Sequence, residues 1–215
     1  MRTVWVGAAL GLLLLGCGGN EATAFPPGLE PLEDNTAVAP EAMDGQPYPE
    51  LMNALSGDRG TYEFAMARGY VHGTVAETWA ALAMPEVVTD RRGVNRYSFT
   101  TDVEEGYDVS FRVHNETDDI ITVTFDVTWR QSAAEGTVDD PTVVAIRWQK
   151  TFGTTFITTI EGSMVLTAVD DSTTEISAVE HIKAARDSAD LIRQYLLDVH
   201  ASAVAMVHGQ PLPTY

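Results

Sequence analysis

The sequence predicts an α+β domain in which a curved antiparallel sheet of about seven strands wraps around a long C-terminal helix, with two short helices after the first strand. Three observations carry this. Between Tyr97 and Ile182 apolar residues recur at every second position, in runs broken by turn-type segments, which is the pattern of half-buried strands. From about Ser188 to Val207 the spacing changes, and Leu191, Ile192, Tyr195, Leu196, Val199, Ala203, Met206 and Val207 fall on one helical stripe. Third, Thr74-Val75-Ala76-Glu77 has the spacing of a capping box, in which the hydroxyl accepts from the Glu77 amide and the carboxylate reaches back.

In chain order, residues 1–16 combine a basic start, Met1-Arg2, with an apolar run from Val4 to Leu15. That describes a secretory signal peptide, and the run is shorter than the roughly 20 residues a membrane span needs. Residues 17–57 are rich in Pro, Gly and acid up to Glu50 and lack a sustained apolar period. The composition predicts a disordered tether with a root-mean-square reach of roughly 30 Å. The domain spans 58–209, followed by a tail at 210–215. It opens with a strand near Tyr62–Thr74, then a helix over Val75–Leu82 and a second one starting at Pro85, a residue suited to a first helical position. Tyr97, Phe99, Thr101 and Val103 begin the alternation. Tyr107–Val113 and Ile121–Trp129 continue it, followed by Val144–Trp148, Ile160–Leu166 and Ile176–Ile182. The hairpin-length gaps between these runs predict an antiparallel meander. Gly209 and Pro211 end the last helix.

Composition excludes several functions. The 215 residues carry 13 Lys and Arg against 31 Asp and Glu, a net charge of −18. Such a chain is repelled by nucleic acid and by anionic lipid surfaces, so membrane attachment must come from acyl chains. Cys17 is the only cysteine, so the domain after it has no disulfide, cysteine nucleophile or cysteine-ligated metal. His72, His114, His181, His200 and His208 lack the i, i+4 spacing of a helical metal site. No HExxH, Walker loop or GxSxG occurs, and the acidic pairs Asp118-Asp119, Asp139-Asp140 and Asp170-Asp171 fall in turns. The sequence therefore predicts no metal, no cofactor and no catalytic residue.

Two resemblances follow from particular residues. Leu14-Leu15-Gly16-Cys17 resembles the bacterial lipoprotein signal. The resemblance implies cleavage before Cys17, acylation of its thiol with palmitate-type chains, and anchoring in the cell envelope. Gly18 after the cysteine, by the same resemblance, points to the outer membrane, on its periplasmic or surface side. Thr74–Leu82, Gly162-Ser163-Met164-Val165-Leu166 and the terminal helix together resemble the SRPBCC helix-grip superfamily, which includes START domains, polyketide cyclases and birch pollen allergen proteins. One departure is Val75, where that group commonly has proline. The resemblance covers roughly residues 60–208 and implies a cavity between sheet and helix for a hydrophobic or amphipathic molecule. The expected function is a membrane-tethered binding or carrier domain for a hydrophobic small molecule or lipid. The alternatives are a cyclase- or hydrolase-type enzyme of the same superfamily and an envelope protein-interaction module without ligand.

The alternation points Phe99, Phe111, Phe125, Trp129, Trp148 and Met164 inward, facing Tyr195, Leu196 and Val199 of the helix. They are the expected pocket lining, although interiors normally pack densely and the same residues would fill a solid core. Parity also turns Arg68, His72 and Glu180 inward as polar pocket groups. Arg68 and Glu180 fall on neighbouring strands of the resembled fold, which suggests a buried pair that orients a headgroup. A β-bulge that shifts the parity would turn both to solvent.

Overall fold

In the computed structural model, which describes residues 19–43, 45–118, 122–185 and 188–215, the period-two runs form one antiparallel sheet. The order along the chain is β1 (Asn20–Ala22), β2 (Met52–Asp58), β3 (Glu63–Val71), α1 (Val75–Leu82), α2 (Pro85–Val88), β4 (Arg96–Thr101), β5 (Val109–Asp118), β6 (Thr122–Gly136), β7 (Pro141–Thr154), β8 (Ile157–Asp170), β9 (Thr173–Ala184) and α3 (Ala189–Val207). The strands pair in the order β2-β3-β9-β8-β7-β6-β5-β4, and β1 pairs with β7. Among the described residues the sheet has nine strands, two more than the alternation predicts, because β1 and β2 come from the segment read as a tether. The signal peptide and Cys17 lie outside the described residues.

The capping box at α1 is formed: the Glu77 amide donates to Thr74 Oγ1 at 3.2 Å, and the Thr74 amide donates to Glu77 Oε2 at 2.9 Å. Pro85 opens α2. α3 starts after Ser188 and ends at His208, where Gly209 takes a left-handed φ of 65°, a conformation glycine adopts without a side-chain clash. α3 packs across β2 and β3. The inner face of β3 carries the fully buried Ala65 and Ala67, whose small side chains let the helix approach. Ile192, Leu196, Val199 and Ala203 of α3 are buried in the same core.

Aromatic rings make up the centre of the sheet's inner face. Phe111 stacks on Trp129 with centroids 5.8 Å apart, and Trp129 stacks on Trp148 at 4.6 Å. Gly162 is the cross-strand partner of Trp148, and a Cβ there would overlap the indole. Trp79 of α1 donates its indole N–H to Gln131 at 2.7 Å, and Gln131 donates to the Leu82 carbonyl at 3.1 Å. A buried polar side chain thus satisfies both a ring and a helix end.

The N-terminal segment is placed differently from expectation. The folded unit begins at Asn20, not near 58, and residues 23–38 run as a strap along the outer face of the sheet. The Arg130 guanidinium donates to the carbonyls of Pro26 (2.8 Å) and Phe25 (3.2 Å) and lies 3.6 Å over the Phe25 ring. Arg147 donates to the Glu30 carbonyl at 2.6 Å, and Asn35 donates to Ala67 O and Ser177 Oγ. Ala37 is buried against Met66 and Val179, with Leu32 and Phe64 packed around them. The physical reason is that β3 and β9 carry apolar residues on both faces. A few small apolar groups and amide bonds are enough to dock a Pro-rich chain there without any periodic pattern. The C-terminal tail docks too: the Pro213 carbonyl accepts from Arg91 at 2.6 Å, and the Tyr215 hydroxyl donates to Asp198 O at 3.1 Å.

Candidate functional site

A cavity of about 690 Å³ lies between the inner face of the sheet and the first half of α3. Helix and sheet close together where α3 crosses β2 and β3, and diverge towards β5–β8. The pairing of the long strands β6 and β7 is interrupted by a register shift between Asp126 and Val127, and such irregularities bend a sheet locally. Val113, Phe125, Val127, Trp129, Trp148, Ile160, Ile182, Ile192 and Tyr195 supply the apolar walls. Thr89, Asp90, Gly93 and Val94, Thr117 and Asp118 at the end of β5, Phe156 in the β7–β8 turn, and Ala184, Ala185, Ser188 and Leu191 at the β9–α3 junction line its exposed end, the mouth.

Among the described residues, the charged groups in this cavity are few and carry one sign. Asp90, Asp118 and Glu180 line it, and among the described lining residues there is no Lys, Arg or His. Asp118 is engaged by Arg96 at 2.6 Å, which with the Thr122 hydroxyl holds its carboxyl below the usual carboxylate range. Asp90 accepts from the amides of Gly93 (2.9 Å) and Arg92 (3.1 Å). Burial nevertheless raises its pKa against those bonds, with Asp198 adding to the rise.

Glu180 is 5% exposed. Its Oε1 accepts from Trp148 Nε1 at 3.4 Å, and its Oε2 is buried with no hydrogen-bond partner. Burial pushes its pKa well above the ordinary value; the Trp148 bond opposes this and Asp90 reinforces it. The neutral acid is therefore favoured, and its free oxygen is an unused hydrogen-bonding position in an apolar wall. Tyr195 donates to the Val88 carbonyl at 2.9 Å. Burial raises its pKa well above the phenol value, and Glu180 and Asp90 add to this.

The expected site residues divide clearly. Phe125, Trp129, Trp148, Tyr195 and Glu180 meet in the cavity. Phe111, Met164, Leu196 and Val199 are buried but pack in the solid core, Phe111 on Trp129. Phe99 is 46% exposed because β4 is an edge strand of the sheet and none of the described residues covers it. Arg68 faces the outer side of β3 and pairs with Glu175 at 3.5 Å, so the expected Arg68–Glu180 pair does not form. Parity fails there because Ala65 and Ala67 take the inner positions and Met66 and Arg68 the outer ones. His72 follows β3 and bonds to the segment before β2, its Nε2 to the Tyr48 carbonyl at 2.7 Å and its amide to Glu50 at 2.7 Å. Asp90 and Asn115 were not among the expected site residues. The Asp-x-x-Gly turn at Asp90–Gly93 was a usable signal for the first, because Asp accepts from its own turn amides.

No family model matches the chain, and no curated protein matches its sequence. Among solved structures, the human StarD13 lipid transfer and protein localization domain superposes with a TM-score of 0.51 at 8% identity, covering 83% of this chain and 91% of that one. The chain has the helix-grip fold. Two further helix-grip structures are similar at lower scores. One is a STAR-related lipid transfer protein from Xanthomonas axonopodis (TM-score 0.45, 8% identity, 74% of this chain and 92% of that one). The other is the Zhui aromatase/cyclase from Streptomyces sp. R1128 (TM-score 0.40, 14% identity, 74% and 92%). The likeness to the SRPBCC superfamily expected from the sequence holds at the level of the helix-grip fold, and the cavity lies under α3 of that fold.

Proposed function

We propose that this chain is a binding or carrier domain for a hydrophobic small molecule or lipid, tethered to a bacterial membrane through an acylated Cys17. The observation that carries the reading is the 690 Å³ apolar cavity with an unpartnered carboxyl oxygen in its wall. Its volume falls within the roughly 300–1,000 Å³ of ligand pockets. The one-sided polarity also constrains the ligand. An anionic end would find no cation among the described lining residues to balance it. A neutral or amine-bearing polar end would satisfy Glu180 Oε2. The StarD13 domain of the same fold is a lipid transfer and protein localization domain, which supports this reading. The lipoprotein signal and Gly18 support an envelope location, with the outer membrane as the proposed site.

A second reading, an enzyme of the cyclase type, has one observation in its favour: a buried carboxyl held in the acid form is a candidate proton donor. The carrier is preferred because the hydroxyls near that carboxyl serve the fold. Tyr195 donates to Val88 O, and Thr89 donates to Pro85 O at 2.7 Å.

Extraction of the lipidated protein from its native membrane, followed by mass spectrometry, tests the reading. A stoichiometric apolar compound is expected, and the cavity-filling variant Ile182→Phe should retain less of it. Absence of any retained compound, together with no saturable uptake of a 12-carbon alcohol, would overturn the proposal.

A further inference from the structure

β1 pairs with the last residues of β7: Asn20 is opposite Thr154, Glu21 opposite Gly153 and Ala22 opposite Phe152. The pairing is antiparallel, so the chain leading into Asn20 comes from the direction of the β7–β8 turn at Thr155-Phe156. Phe156 and Ile157 line the cavity. The strap is held firmly at this end: the Thr23 amide donates to Thr151 O at 2.8 Å, and Arg130 clamps Phe25 and Pro26. Only Gly18 and Gly19 separate Cys17 from Asn20, and three residue steps span at most ~11 Å.

The two ends of the sheet also differ. At the mouth, Phe156 is 41% exposed and Leu191 is 61% exposed, apolar groups suited to a lipid interface. The opposite end of β7, about 40 Å away at strand rise, carries the acidic turn with Glu135, Asp139 and Asp140.

We infer that lipidation of Cys17 seats the domain with its cavity mouth against the bilayer, so that an apolar ligand passes between lipid and cavity without crossing water. This rests on the carrier reading and on acylation of Cys17. The roughly 30 Å of slack expected of a free tether is not available, because strap residues 20–37 are committed to the sheet. The anchor holds the mouth within the headgroup region.

Because lipidation consumes the only native thiol, a fluorophore can be placed at a single new cysteine in the lipidated protein, Phe156→Cys or Val138→Cys. In phosphatidylethanolamine/phosphatidylglycerol vesicles containing doxyl-labelled lipid, the label at 156 should be quenched and the label at 138 should not. A 30-residue Gly/Ser insertion between Gly19 and Asn20 should keep the protein on the vesicle, abolish quenching at 156 and slow uptake of dodecanol from the vesicle. Equal quenching at both positions, or quenching at 156 that survives the insertion, would overturn the inference, as would a protein that does not stay on the vesicle. Dodecanol binding by the Cys17→Ser protein in solution is scored separately. Its absence defeats the carrier reading, whereas its presence with a failed depth result defeats only the orientation.

Discussion

Trp148 Nε1 stands 3.4 Å from Glu180 Oε1 in the cavity wall, and among the described residues this indole is the only hydrogen-bond donor to the carboxyl. The pair sets the electrostatics of the site. One weak bond leaves Glu180 largely uncompensated, so burial dominates and the acid form is favoured. A group whose folded pKa lies above its unfolded value stabilises the fold at low pH and loses that contribution as pH rises through the folded pKa. Glu180→Gln should therefore remove a downward slope. In denaturant midpoints measured from the ordinary glutamate range upward, the wild type should lose stability relative to the variant as pH rises. Parallel curves would show that Glu180 is solvated or paired.

Gly162 allows Trp148 to lie directly on the β8 backbone. Gly162→Ala should displace the indole towards the cavity, costing about 1–3 kcal/mol through overpacking and reducing the space for a ligand. Chemical denaturation and dodecanol titration check the two effects. A variant with native stability and full binding would show that the ring has room to move.

Arg130 joins strap and sheet through two carbonyl bonds, the Phe25 ring and an ion pair with Glu104. Arg130→Ala should cost about 2 kcal/mol, the scale of hydrogen bonds to a charged group. It should also raise amide exchange over 20–37 selectively. Lys at this position should not rescue it, because one ammonium cannot reproduce the planar fork. Unchanged exchange in the strap would mean that Ala37 and Asn35 hold it alone.

Gln131 satisfies the Trp79 N–H and the Leu82 carbonyl within the core. Gln131→Leu leaves both buried and unpaired, at a cost of about 1–3 kcal/mol for each stranded group. A thermal melt shifted downward is expected, and an unshifted melt would indicate that water enters beside α1.

Much of this architecture was legible in the sequence because the relevant signals are local. The Thr74–Glu77 capping box, the 188–207 stripe and the alternation through Phe125, Trp129 and Trp148 each declare an element from neighbouring residues. Glu180 could be assigned inward because it shares parity with Ala178 and Ile182. What remained hidden depends on distant partners. Whether Met164 and Leu196 fill a core or line a hollow is decided by where α3 diverges from the sheet. Phe99 is apolar and correctly in phase, but its strand is the edge. The strap could not be read from composition, because Asn35, Ala37 and Phe25 are scattered residues whose binding sites lie more than 100 positions away on β6 and β9 or on the outer face of β3. The β3 run Phe64-Ala65-Met66-Ala67-Arg68 misleads parity for the same reason, since its larger residues face the strap.

The central claim, an apolar cavity open to a ligand, is tested most directly by tryptophan quenching. Trp129 and Trp148 both line the cavity. Titration of the Cys17→Ser protein with a brominated 12-carbon alcohol should give saturable, one-to-one quenching that is weakened in Ile182→Phe. Linear, unsaturated quenching that is identical in both proteins would contradict the account.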